Sequence, residues 1–306
     1  MALPASQSPE HTPNLPPPFI NIPNLPNLRD IGGLPSTLTS STGAPLAVRK
    51  QQLYRSGDPS RISATSLQTL HGAHRLATIV DLRAAPEIER AGTLAAWEAT
   101  LAGTRGAVTR RWAPVFAAHE YTPDVVAARF AHYGAEDGPA GFARAYEGIL
   151  EHGGPSVRAV LCVLAEGERA ALVHCSAGKD RAGCVVAVVL GLLGVPDEHV
   201  AEEYALTEKG MGGMKAYFVE RIVEGGTFGE DERTARVRAE RMVSARKEAM
   251  VATLELLRRR WGSAEQYVKE VAGVDDDLIA AVRSKVLIPA TASHPVLVGS
   301  ENRASL

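Results

Sequence analysis

The chain has 306 residues, of which 45% are hydrophobic and 22% charged, and its formal net charge is -2. That apolar fraction excludes bulk disorder, and the near-neutral balance gives no electrostatic case for nucleic acid as the main ligand. Three cysteines, Cys162, Cys175 and Cys184, are too few and too odd for a disulfide framework and point to a reducing, cytoplasmic setting. The longest apolar run, Ala182 to Val195, is shorter than the roughly 18 residues a membrane span needs, so no integral membrane segment is expected. The N-terminus has no basic start followed by an apolar stretch, hence no secretory signal; export without a leader leaves no such mark.

Prolines crowd the stretch from Pro4 to Pro26, which predicts an extended, disordered leader over 1–18. Residues 19–290 read as one folded domain and 291–306 as a flexible tail. Asn27 to Gly33 is a turn, Leu46 to Arg55 a strand region, and Ser63 to His71 a helix capped by Ser63. Ala77-Thr78-Ile79-Val80-Asp81-Leu82-Arg83 is an apolar, β-branched run ending in polar residues. It suits a buried strand whose C-terminal end emerges into a site. Helices are predicted over Thr122–Tyr133, Gly141–His152 and Ser156–Ala165.

Ala170 to His174 is a second buried strand. It runs into Cys175-Ser176-Ala177-Gly178-Lys179-Asp180-Arg181 and then into an apolar helix from Ala182 to Leu193. The last third is helical and more charged. Asp197 is placed to cap a helix through Tyr204, and Gly212-Gly213 and Gly225-Gly226 interrupt Met211 to Phe228. Glu230 to Trp261 is one amphipathic helix or two, followed by short helices over Ser263–Val271 and Asp275–Val286. Buried strands alternating with helices make the fold class α/β, a central, mostly parallel sheet flanked by helices with added C-terminal helices.

The chemistry concentrates in His174 to Arg181. A strand, a short glycine-bearing loop and a helix aim backbone N–H groups at an anion. A free thiol is mostly protonated at neutral pH, but a ring of such donors at a helix start stabilises the Cys175 thiolate. Gly178 permits the backbone angles the ring needs. Arg181 offers a planar fork to two phosphoryl oxygens, and His174 orients the loop from below. The segment combines a nucleophile with an oxyanion cradle.

The segment resembles the phosphate loop of cysteine-dependent tyrosine and dual-specificity phosphatases. Asn27-Leu28-Arg29-Asp30-Ile31-Gly32-Gly33, Tyr54-Arg55-Ser56-Gly57 and Asp81-Leu82-Arg83, in this order before the loop, resemble the branch typified by mycobacterial tyrosine phosphatase B. Trp261-Gly262-Ser263 and Tyr267-Val268 look like that branch's closing helices. The resemblance covers about residues 19 to 288.

It implies a phosphotyrosine protein phosphatase-like fold and metal-free, cofactor-free hydrolysis of a phosphomonoester. Cys175 attacks phosphorus, Arg181 binds the phosphoryl group, and Ser176, Ala177, Gly178, Lys179, Asp180 and Arg181 supply backbone N–H groups. Trp112-Ala113-Pro114 sits where many relatives carry an acidic loop but has no carboxylate. Members of the resembled branch place an aspartate inside the phosphate loop, and Asp180 matches it, so the resemblance implies Asp180 as the general acid; Asp81, at its strand end, is the second candidate. A lysine at position 179 accompanies phosphoinositide activity in similar enzymes. The partner is thus a phosphorylated protein or a phosphoinositide.

Most relatives carry Ser or Thr after the loop arginine, and Ala182 predicts slow breakdown of the phosphocysteine. Residues 205–250 are expected to form lid helices hinged at the glycine pairs. Two alternative readings are a phosphoinositide phosphatase proper and a phosphate-binding pseudophosphatase with impaired turnover.

Overall fold

The structure is a computed structural model that describes residues 14–229 and 231–291. Most of the leader expected over 1–18 and nearly all of the tail expected over 291–306 lie outside the described residues. The described end of the leader is tied to the fold: Pro18 O accepts from the Asp30 N–H at 3.1 Å.

Among the described residues, eight strands form two sheets. In chain order they are β1 (Arg29–Asp30), β2 (Pro35–Thr39), β3 (Pro45–Val48), β4 (Leu53–Ser56), β5 (Leu76–Asp81), β6 (Thr109–Trp112), β7 (Ala170–His174) and β8 (Leu287–Pro289). The larger sheet has the order β1-β4-β7-β5-β6, with β1 antiparallel to β4 and every other pair parallel. The smaller sheet, β2-β3-β8, is antiparallel and joins the C-terminal strand to the first third of the chain.

β7 lies at the centre, and all five of its residues are buried. Its side chains alternate between two cores. Ala171 and Val173 join a cluster with residues from the helices Pro139–His152, Gly154–Glu166, Asp180–Leu192 and Lys247–Trp261. Ala170 and Leu172 face the other side, where Leu67, Leu70 and Trp97 cover the sheet. A third, smaller cluster of Met211, Met214, Phe218, Val219, Ile222, Ala239 and Val243 holds together the glycine-bracketed segment and the helix after it.

The register positions the site. Ser56 of β4 and Asp81 of β5 both stand opposite His174 of β7. Three parallel strands therefore end at one level, and the turns that leave them converge on one edge, where open α/β sheets bind ligands.

Several expected elements appear within a residue or two. β7 spans the expected Ala170–His174, and Ser63, Ser263 and Asp275 each cap a helix by accepting a backbone N–H. Other expectations change. The strand region Leu46 to Arg55 is two strands in different sheets, parted by a turn with Gln51 at φ 58°. Glu230 to Trp261 contains two helices, Glu232–Val243 and Lys247–Trp261, separated at Ser244. Asp197 is the first residue of its helix rather than the cap, which is Pro196. Helices Ala85–Ala91 and Leu94–Ala102 had no sequence forecast. Among the described residues, no helix is long and apolar enough to cross a membrane.

Candidate active site

The loop from Cys175 to Lys179 is held from behind by its carbonyls. Asp58 N–H donates to Ser176 O at 3.1 Å. Asn27 Nδ2 donates to Ala177 O at 3.2 Å and to Gly178 O at 3.1 Å. Arg55 donates from Nη2 to Gly178 O at 2.6 Å and to Lys179 O at 3.1 Å, with Nε adding 3.2 Å to Gly178 O. Across a trans peptide the C=O and the next N–H point in opposite directions. Tethering four successive carbonyls outward therefore turns the N–H groups of Ala177 to Asp180 toward the concave side. The helix Asp180–Leu192 begins there and adds the positive end of its dipole. Gly178 has φ 67°, and a Cβ at that position collides with the Ser56 backbone. Only glycine satisfies both demands.

The tethers are themselves anchored. Arg29 and Arg55, both fully buried, share the Glu203 carboxylate at 2.7 Å each. Burial drives the Glu203 carboxyl up, but the two arginines outweigh it and hold the group below its ordinary value. Arg29 also donates to Asn27 Oδ1, which leaves the Asn27 amide nitrogen facing the loop.

His174 sits under the loop, fully buried, with Nδ1 at 3.1 Å from Cys175 O. A carbonyl only accepts, so Nδ1 carries the proton. Its Nε2 faces Asp81 Oδ1 at 3.5 Å. Burial lowers the imidazole against the pull of Asp81.

Cys175 is only 2% exposed and starts the loop. Arg181, in the first turn of the helix, pairs with Glu87 through both terminal guanidinium nitrogens, one at 2.8 Å from Nη2 to Oε1. Ser176 Oγ donates to the same Glu87 Oε1 at 2.9 Å. Burial pushes the Glu87 carboxyl up, yet Arg181 overrides it and brings the group down to about 2.

A cavity of about 120 Å³ lies over the loop. Its floor includes Ser176, Ala177, Asp180 and Arg181, with Glu87, Tyr121 and Phe130 on one side. Met211, Phe218, Ile222, Met242 and Val243 form the other side, all from the segment forecast as a lid.

The two candidate acids occupy different settings. Asp180 lines the cavity with its side chain 28% exposed, and its Oδ1 accepts from Tyr146 Oη at 2.8 Å and lies 3.2 Å from Lys179 Nζ. Asp81 is fully buried and accepts from Arg83 Nε at 3.0 Å, Arg83 Nη2 at 2.8 Å and Arg110 Nε at 3.0 Å. Burial would raise its carboxyl, but its cationic neighbours, with the Arg83 and Arg110 guanidiniums bonded to it, hold it well below the ordinary range. Asp81 is thus a brace at the strand end, with no proton to give near neutral pH.

Lys179 lines the same cavity. Its ammonium donates to Met242 O and, at 3.1 Å, to Ser244 O, and it lies 5.0 Å from the centre of the Phe142 ring. It ties the loop to the segment above it.

Sequence reading singled out Cys175, Asp180 and Arg181, and the structure gathers them at one edge. It assigned no task to Asn27, Arg29 and Arg55, although it quoted their motifs. It missed Glu87 and Tyr146, whose partners lie far along the chain and leave no local signal.

The family model described as the tyrosine phosphatase family matches residues 20–288. The chain belongs to that family. It is 30% identical over 149 residues to a tyrosine-protein phosphatase of Nostoc commune, a match spanning 48% of this chain and 50% of that protein. The chain thus spans about half the length of that relative. It is 26% identical over 256 residues to a protein of Cupriavidus necator provisionally named a tyrosine-protein phosphatase, covering 82% of this chain and 83% of the relative.

Proposed function

We propose that the chain hydrolyses phosphomonoesters, phosphotyrosine first, through a cysteinyl-phosphate. The observation that carries this reading is the outward tethering of the loop carbonyls beside Cys175 and Arg181. A tetrahedral dianion placed in the loop meets N–H groups on one side and the Arg181 fork on the other.

The Cys175 thiolate attacks phosphorus in line. The S–P bond forms as the P–O bond to the leaving group breaks, and Asp180 gives its proton to the departing oxygen. Asp180, now a carboxylate, takes a proton from water as that water attacks phosphorus. The S–P bond breaks, phosphate leaves and the thiolate returns. Arg181 and the loop N–H groups hold the equatorial oxygens throughout. In this reading Glu87 aims Arg181, while His174 and Asp81 support the loop from below.

The apolar wall of Phe130, Phe218 and Ile222 favours an aryl group over a charged ring. Phosphoserine, phosphothreonine and phosphoinositides rank behind phosphotyrosine, because Lys179 is engaged by the Met242 and Ser244 carbonyls and by Asp180. Residues 205–250 act as a lid whose opening frees both cavity and lysine. Cys162, Cys175 and Cys184 are free thiols, which fits a reducing, cytoplasmic setting.

The test is a hydrolysis screen over phosphopeptides and phosphoinositides with the wild type, Cys175→Ser and Asp180→Asn. Turnover of phosphotyrosine peptides that is lost in Cys175→Ser supports the reading. Binding of phosphate without turnover of any substrate by the wild type favours the pseudophosphatase instead.

A further inference from the structure

Asp180 lines the cavity floor, and a general acid acts only if the proton sits on the oxygen that meets the leaving group. Its surroundings make the two oxygens unequal. Tyr146 Oη donates to Oδ1 at 2.8 Å, and Lys179 Nζ stands 3.2 Å from the same atom. Tyr146 has one proton and spends it on Asp180. Its 2.6 Å contact with Tyr204 Oη is therefore a bond donated by Tyr204. The order is Tyr204 to Tyr146 to Asp180 Oδ1.

Both phenols are buried, at 0% and 1% exposure, and come from separate helices, Pro139–His152 and Asp197–Ala205. Tyr146 is packed edge-on against Tyr133, Phe142 and Tyr204, so its hydroxyl has little freedom to turn away. A buried hydroxyl costs stability unless it is bonded. Two placed end to end against a cavity carboxylate call for an explanation beyond packing.

We propose that Tyr146, backed by Tyr204, is a positioning residue for the general acid. It saturates Oδ1, fixes the carboxyl rotamer and leaves Oδ2 to carry the proton to the leaving oxygen and to receive the proton of the attacking water. This rests on the assignment of Asp180 as the acid. The other titratable groups facing Asp180 are Tyr133 and Tyr204 from the neighbouring helices, Lys179 from the loop and Cys184 one turn along its own helix. The three tyrosines and Cys184 are all held well above their ordinary values by burial, so they stay neutral around Asp180.

Tyr146→Phe removes the donor to Oδ1 and keeps the ring. The misaligned proton slows reactions that need it. With phenyl phosphate, a poor leaving group, kcat falls about tenfold; with p-nitrophenyl phosphate it falls about twofold, and KM is unchanged for both. Tyr204→Phe has the same signature at roughly half the size on a logarithmic scale.

Asp180→Asn is measured beside them. If it penalises phenyl phosphate far more than p-nitrophenyl phosphate and Tyr146→Phe does not, the positioning role is overturned while the acid assignment stands. If Asp180→Asn treats both substrates alike, the acid assignment fails and the role of Tyr146 falls with it. A Tyr146→Phe enzyme with the leaving-group bias in kcat and an unchanged KM supports the proposal, because lost packing alone gives no such bias.

Discussion

The bed of the phosphate loop and the segment above it are built in opposite ways. The bed is braced by buried charge. Arg29, Arg55 and Glu203 form one network from two strands and a helix; Arg55 holds the Gly178 and Lys179 carbonyls, and Arg29 aims Asn27 at those of Ala177 and Gly178. The upper segment has its own small core and is tied down by a few polar contacts. These include Lys179 to the Met242 and Ser244 carbonyls and Arg241 to Gly134 O at 3.4 Å. Chemistry needs donors already in place before the phosphoryl group arrives, and that favours an over-determined bed. Access needs a part that opens at low cost, and that favours a separate cluster on few tethers.

The contrast can be broken most directly at Arg55. Arg55→Lys keeps the charge near Glu203 but cannot reach Gly178 O and Lys179 O together. The expected loss is about a hundredfold in kcat/KM, with about 3 kcal/mol of stability lost from the unsettled buried pair, read by steady-state kinetics and urea unfolding. Near-normal kinetics would show that the loop holds its shape without the brace.

Glu87→Gln is expected to cost about tenfold in kcat/KM by loosening Arg181. It also carries a pH signature. The Glu87 carboxyl is brought down from 4.5 to about 2, so its stabilising effect is complete above the unfolded value and is lost as pH falls toward the folded one. The stability gap between wild type and Glu87→Gln, about 3 kcal/mol at neutral pH, therefore closes between pH 4.5 and about 2. A gap that persists at low pH would place the effect elsewhere.

Ala182 is fully buried directly after Arg181. Ala182→Ser restores a hydroxyl there and is expected to shorten the phosphoenzyme lifetime about fivefold, as seen by rapid quench. The smallest effect is on the upper segment. Lys179→Met removes its tie to Met242 and Ser244 and is expected to speed alkylation of Cys175 by iodoacetamide about threefold, with melting temperature nearly unchanged. A large stability loss would mean that the segment is part of the fold's foundation and not a cover.

What was legible in the sequence follows the range of the interactions. β7, the loop and its helix are consecutive, so strand pattern, Gly178, Cys175 and Arg181 read as one unit. The brace was visible only as motifs, because Asn27 and Arg55 meet the loop more than a hundred residues later. Glu87 looks locally like a helix-start residue that accepts from the Ala84 N–H, and its pairing with Arg181 exists only in three dimensions. The carbonyl partners of the Lys179 ammonium, Met242 and Ser244, are likewise distant in sequence and left no local signal.

The most direct test of the account is the fate of the phosphoryl group. Wild-type protein mixed with a phosphotyrosine peptide is quenched within one turnover, and the phosphoryl group is mapped by mass spectrometry. The account predicts it on the peptide containing Cys175, at a level that rises in the first turnover and falls in Ala182→Ser. Steady hydrolysis with no phosphoryl group on Cys175 at any time would contradict it.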